Sequence, residues 1–175
     1  WECNVEQVIE LVHHALSRGI NLIDTSPHYG DSQHRIGLAL EHYLKGGGKR
    51  QDIVLCTKAG RRRDDSDYSA DAIHRSVDNS LKLLKTEYLD VVHVHDPVMI
   101  GPLLESGGAF EALHQLKEQG VIRAVGLGMR DHAMLRRCIE AGVVDVVITY
   151  RDHNLLCQTA QIAFHQRHVA LVQAG

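Results

Sequence analysis

The sequence predicts an α/β fold, an incomplete (β/α)8 TIM barrel, and three observations carry that prediction. Short Val/Ile-rich runs alternate with amphipathic helical segments along the chain. The runs start near residues 20, 53, 89, 121, 143 and 169, 22 to 36 residues apart, which leaves room for one right-handed crossover each time. No GxGxxG turn follows an early run, as a doubly wound dinucleotide-binding sheet would show; Gly46-Gly47-Gly48 precedes a strand rather than a helix.

Each element has its own signal. Residues 4–18 place Val5, Val8, Ile9, Val12 and Leu16 on one helical face. Gly19 stops that helix, and Ile20–Asp24 reads as a strand. Ser32 is expected to cap a helix running to about Lys45, and GGGKRQD to turn into the strand Ile53–Thr57. Ser69 opens the next helix, Leu89–His95 is the next strand, and a longer connection leads to the helix Ala109–Gln119. Gly120 precedes the strand Val121–Gly126; residues 131–141 read as helix, Val143–Thr149 as strand, 154–166 as helix, and Val169–Val172 as the start of a sixth strand. Strands so rich in Val and Ile fit a sheet covered on both faces. No break in composition divides residues 1–175, which read as a single partial barrel domain. Six strands of eight are expected, without the first strand and the C-terminal βα region, and such a piece is expected to be inactive on its own.

At 44% hydrophobic and 23% charged, the 175 residues suffice for one sizeable core. A net charge of −3 gives no electrostatic reason to expect nucleic acid or an anionic membrane as partner. Arg61-Arg62-Arg63 is followed at once by Asp64, Asp65 and Asp67, which reads as a solvated loop. No run approaches the ~18 apolar residues of a membrane span, and the N-terminus carries no signal-peptide pattern. The four cysteines are scattered without a CxxC, which points to a reduced, cytosolic compartment.

In α/β folds, chemistry collects where strands end. The first strand ends in Asp24 and leads into Thr25-Ser26-Pro27-His28-Tyr29-Gly30, the second ends in Thr57-Lys58, and the third in His93-Val94-His95-Asp96. An Asp, a Lys and a His at three consecutive strand ends project into one mouth, with Tyr29 on the loop between. A tyrosine alone titrates near 10, too high for easy proton exchange at neutral pH. An ammonium beside a phenol stabilises its anion, a buried lysine needs a carboxylate to hold it, and a neutral imidazole can orient a substrate oxygen. Such a set moves a proton at an alcohol oxygen while hydride moves at carbon.

The segments GINLIDTSPHYGDSQHRIGLAL, VLCTKAG and YLDVVHVHDP resemble, in order, three signatures of the aldo-keto reductase family, and the resemblance spans nearly the whole chain. It implies an oxidoreductase that uses NADP or NAD on a small carbonyl or sugar substrate, with Tyr29 as general acid/base, Lys58 as the cation beside it, Asp24 holding Lys58, and His95 rather than His93 in the family's histidine position. DVVHVHDP, GGAFEALHQLKEQGVIRAVGLGM and YSADAIHRSVDNSLKLL are most similar to the L-fucose and D-threo-aldose 1-dehydrogenase (galactose dehydrogenase-like) branch, which oxidises aldoses to lactones. The resemblance further implies cofactor contacts from Asp24, Thr25, Met129, Arg130 and Tyr150, and no metal. Two positions depart from the branch: Arg130 stands where Asn is common after Gly128-Met129, and Thr149-Tyr150-Arg151 has no Gln.

Two other readings compete. His93-Val94-His95 is an H-x-H at a strand end, as in metal-dependent barrel hydrolases, but the following strand ends, Gly126-Leu127-Gly128 and Thr149-Tyr150, offer no further ligand. A nucleotide-sensing relative, as in potassium-channel β subunits, would bind cofactor and scarcely turn over substrate. The sequence leaves the physiological sugar, the choice between NAD and NADP, and the oligomeric state open.

Overall fold

The computed structural model describes residues 4–61, 66–99, 101–153, 157 and 159. The helix expected over 154–166, save Cys157 and Thr159, and the strand from Val169 lie outside the described residues. Five strands, β1 (Leu22–Asp24), β2 (Val54–Ala59), β3 (Leu89–His95), β4 (Ile122–Gly128) and β5 (Val146–Ile148), form one parallel sheet in the order β1-β2-β3-β4-β5. Every crossover steps the same way. A doubly wound sheet reverses its strand order at a switch point; among the described strands there is no reversal, so the sheet is an arc of a singly wound barrel. Right-handed crossovers stepping in one direction set all the helices on one face. These are α1 (Val5–Ser17), α2 (Ser32–Lys45), α3 (Ala70–Leu84), the single turn α4 (Gly101–Leu104), α5 (Ala109–Glu118) and α6 (His132–Glu140).

Register decides which side chains share a face, because in-register partners in a parallel sheet point the same way and neighbours along a strand alternate. Leu55, Val92, Val94, Val125, Leu127 and Val147 face the helices and pack with Ile73, Val77, Leu84, Phe110, Leu113 and Leu135 into the core. The opposite face carries Asp24, Cys56 and Lys58, then His93 and His95 beside Lys58, then Gly126 and Gly128 beside the two histidines, then Ile148. The H-x-H alternation thus sets both imidazoles on the barrel's inner side.

Several boundaries differ from the sequence reading for local reasons. The strand expected from Ile20 begins at Leu22, since Gly19 (φ +81°) and Ile20 close α1, with Gly19 N bonded to Leu16 O and Ile20 N to Ala15 O at 3.0 Å. The same closure at Gly142 and Val143 delays the strand expected from Val143 until Val146. Ser32 does not cap α2. Asp31 takes the cap position without a side-chain bond to the helix, while Ser32 is the first helical residue and its hydroxyl lies 2.7 Å from that of Thr25. Ser69 does cap α3, accepting from Ala72 N.

At the end of the sheet opposite the strand C-termini, the buried Asp90 carboxylate accepts from Arg50 (2.9 Å), Arg123 (3.0 Å) and Leu55 N (2.9 Å). Both guanidinium carbons lie 4.1 Å from the Tyr88 ring centre. This clasp ties the starts of β2, β3 and β4 together, away from the chemistry.

Candidate active site

Strand β2 delivers Lys58 to the inner face with only 5% of it exposed. Its Nζ donates to Asp24 Oδ2 at 2.5 Å and to Thr25 O at 3.0 Å. An ammonium has three N–H donors, and the third remains on the side of Tyr29, whose ring centre is 4.9 Å from Nζ. Tyr29 lies on the β1–α2 loop, half exposed, with Tyr29 N bonded to Ser26 O and Gly30 turning the chain behind it at φ +60°. The His95 ring stands perpendicular to Tyr29, centres 6.3 Å apart.

Burial, and then the neighbouring Lys58 ammonium, push the His95 imidazole down to about 3, and the same two causes push His93 down to about 3. Both rings are neutral at physiological pH. Ser26 Oγ accepts from His28 N at 3.1 Å and lies 3.3 Å from His95 Nδ1, where its O–H is placed to donate to the ring. His95 Nε2 is on the side of Asp96, 3.8 Å from Oδ2.

These groups meet at one cavity of about 380 Å³, lined by Asp24, His28, Tyr29, Lys58, Arg61, His95, Asp96, Gly128, Ile148 and Tyr150. The four residues expected to do the chemistry, Asp24, Tyr29, Lys58 and His95, all reach it. Of the five expected at the cofactor, Asp24 and Tyr150 line it and three do not. Thr25 is buried, with its side chain turned to Ser32 and its carbonyl given to Lys58. Met129 is packed in the core. The Arg130 guanidinium is held by the buried Asp152 carboxylate, 2.6 Å from Nη2, and reaches toward Tyr150 with 5.9 Å between Cζ and the ring centre.

His93 does not line the cavity. It is 1% exposed behind the site, and its ring occupies the place where a side chain on Gly126 would stand. Its Nδ1 has no hydrogen-bond partner among the described residues. No group of three or more His, Cys, Asp or Glu side chains is arranged to hold a metal ion among them. The structure also brings in residues that sequence reading passed over: Ser26, His28, Arg61, Asp96, Gly128 and Ile148. Asp96 had a usable signal, since it directly follows His95 at the strand end; Arg61 was absorbed into a basic run that reads as a solvated loop.

The cavity's lining bears on whether it suits the nicotinamide riboside end of a dinucleotide. Asp24 Oδ1 is buried and makes no hydrogen bond among the described residues, an acceptor suited to a sugar hydroxyl. Gly128 adds no side chain to the wall, and Ile148 and Tyr150 add apolar surface to it, as a flat ring requires. The residues fit.

Comparisons with known proteins agree with the fold. The model of the Aldo/keto reductase family matches residues 1–170. Over 159 residues the chain is 32% identical to L-galactose dehydrogenase of Arabidopsis thaliana, covering 86% of this chain and 48% of that protein. Over 158 residues it is 34% identical to D-arabinose 1-dehydrogenase of Saccharomyces cerevisiae, covering 83% and 46%. The chain thus spans about half the length of the curated relatives it matches. In fold it is similar to an aldo-keto reductase of Bacillus halodurans solved in its holo form, with a TM-score of 0.80, 24% identity, and coverage of 98% of this chain and 58% of that one.

Proposed function

The chain belongs to the aldo/keto reductase family, and from that premise we propose that its protein is an NAD- or NADP-dependent oxidoreductase that oxidises an aldose at the anomeric carbon to the lactone. The observation that carries this reading is the meeting of Asp24, Tyr29, Lys58 and His95 at one cavity. Similarity to L-galactose, D-arabinose and D-threo-aldose 1-dehydrogenases supports an aldose as substrate.

When bound, the nicotinamide supplies the carbon that accepts the hydride. Asp24, Tyr150, Gly128 and Ile148 would hold it. The protein's own part is proton transfer and orientation. His95 donates its Nε2 proton in a hydrogen bond to the anomeric hydroxyl oxygen and fixes it beside Tyr29. The Tyr29 phenolate takes the hydroxyl proton as the anomeric C–H pair leaves as hydride, so the C–O bond gains its second bond and charge balances. The Lys58 ammonium faces the phenolate charge, and Asp24 and Thr25 O hold that ammonium in place. In the reverse direction the same tyrosine protonates the oxygen.

A small-molecule partner and a cytoplasmic setting belong to the same proposal, and the free thiols of Cys56 and Cys138 suit a reducing compartment. No helix of the described residues is long and apolar enough to cross a membrane. The test is formation of reduced nicotinamide by the full-length protein with L-fucose and D-arabinose, each offered with NAD⁺ and NADP⁺. Sugar-dependent reduction of either cofactor is expected. Nucleotide binding without turnover of any aldose would overturn the reading and favour a sensor role or another carbonyl substrate.

A further inference from the structure

We propose that Asp96, held by Arg61, reads the hydroxyl on the carbon next to the anomeric carbon, so that the site selects aldoses over sugars that lack that hydroxyl. The inference rests on the oxidoreductase reading and assigns the residues that choose among its substrates.

Asp96 is the first residue beyond β3, and its backbone takes a left-handed conformation, φ +41°, that costs energy for a residue with a side chain. Backbone and side-chain hydrogen bonds hold it there. Asp96 N donates to Gly128 O at 2.8 Å, and the single Tyr68 hydroxyl proton is shared between the carbonyls of His95, at 2.9 Å, and of Asp96, at 3.3 Å. What this anchored conformation produces is a carboxylate on the cavity wall.

That carboxylate has a defined relation to the chemistry. Oδ2 lies 3.8 Å from His95 Nε2, beyond hydrogen-bond range but close enough for one substrate to meet both. A substrate oxygen held by Nε2 has the carboxylate within reach of the hydroxyl on the adjoining carbon. Arg61 pairs with the same Oδ2, and its backbone carbonyl is in turn bonded to the His28 ring, which keeps residue 61 at the cavity. A guanidinium has more N–H donors than one carboxylate oxygen uses.

Charge balance narrows the ligand further. Lys58 is matched by Asp24 and Arg61 by Asp96, so the cavity is rich in donors and acceptors without net charge. That suits a neutral polyol better than a carboxylate- or phosphate-bearing substrate. A substrate without the neighbouring hydroxyl leaves the Asp96 acceptor unmatched, and sites built around a substrate hydroxyl discriminate strongly against analogues lacking it.

D-arabinose and 2-deoxy-D-ribose differ only in that hydroxyl. Their binding to the full-length protein, measured by saturation-transfer NMR with NADH or NADPH present so that nothing turns over, reads the proposal directly. The wild type is expected to bind D-arabinose about 10- to 100-fold more tightly, the worth of a hydrogen bond to a charged group. In Asp96→Ala the ratio should fall to about threefold or less, and in Arg61→Lys, where the chain keeps a cation, it should fall part of the way. Equal binding of the two sugars by the wild type, binding of neither, or a ratio unchanged in both variants overturns it. If Asp96→Ala does not fold, Arg61→Lys decides on the same ratio. Cofactor reduction with NAD⁺ or NADP⁺ in parallel samples judges the underlying reading separately: discrimination without turnover would sink the dehydrogenase and still support the role of Asp96.

Discussion

Ser26 Oγ accepts the amide proton of His28 at 3.1 Å and lies 3.3 Å from Nδ1 of His95, so its hydroxyl is placed to donate to that nitrogen and favour the imidazole proton on Nε2. Ser26 itself is fully buried and touches no part of the cavity. It acts through His95, as a positioning residue. Ser26→Ala is expected to lower kcat for aldose oxidation about 3- to 10-fold, the worth of one neutral hydrogen bond. A structural role alone would not move the tautomer, so the deciding readout is the ¹⁵N spectrum of His95. The wild type should show the Nε2–H form and the variant a mixture; an unchanged spectrum would remove Ser26 from the account.

Lys58 bridges Asp24, Thr25 O and Tyr29. Lys58→Met should lower kcat about 10²- to 10⁴-fold, the range lost with general acid/base catalysis. It should also destabilise the fold by about 1–3 kcal/mol, because a mostly buried carboxylate loses its cation. Adding Asp24→Asn to Lys58→Met should return stability but not activity. Thermal melts and steady-state rates on the three proteins separate the two effects, and activity in Lys58→Met within tenfold of wild type would contradict the assignment.

Two buried imidazoles give the protein a definite acid sensitivity. Unfolded histidine titrates near 6.5, whereas burial holds His93 and His95 down at about 3. Below pH 6.5 the unfolded chain binds protons that the folded one refuses, so stability rises with pH across this window. Their contribution is full above pH 6.5 and is lost progressively as pH falls toward 3. Each imidazole contributes a slope of up to about 1.4 kcal/mol per pH unit. His93→Leu, which also removes the unpartnered Nδ1, should flatten the slope by one group's share, as read from denaturant melts between pH 4 and 7. An identical slope in the variant would contradict the buried, neutral reading of His93.

Gly126 and His93 share one volume, since a Cβ on Gly126 would run into the imidazole. Gly126→Ala should cost about 1–3 kcal/mol through overpacking and push His93 toward its register partner Lys58. The double variant Gly126→Ala with His93→Ala should be more stable than the sum of the single effects predicts. Simple additivity in chemical melts would show that the two positions do not press on each other.

How far this was legible in sequence varies with the physics. The singly wound strand series was readable because helical and strand periodicities differ and each crossover is long enough for a helix. Asp24, Lys58 and His95 were readable because strand ends are where such sheets expose side chains. What escaped depends on three-dimensional closure. Ser32 has the right residue type for a cap, but its hydroxyl goes to Thr25 and Asp31 takes the position. The glycine closures after α1 and α6 consume residues that hydrophobicity alone assigns to strands. Arg61 looks like one cation in a solvated run until its partner, 35 positions away, is known. Arg130, expected at the cofactor by resemblance, is held by Asp152, a partner 22 positions away that the sequence does not reveal.

The central claim is that Tyr29 carries the proton at the reacting oxygen, and Tyr29→Phe in the full-length protein tests it most directly. The substitution removes one hydroxyl from a half-exposed ring and leaves Lys58, Asp24 and His95 in place. Reduced nicotinamide formation with L-fucose and D-arabinose should fall about 10²- to 10⁴-fold, while nucleotide affinity, measured by titration on the same sample, stays within about threefold of wild type. A Tyr29→Phe protein that oxidises these sugars at near the wild-type rate would contradict the account.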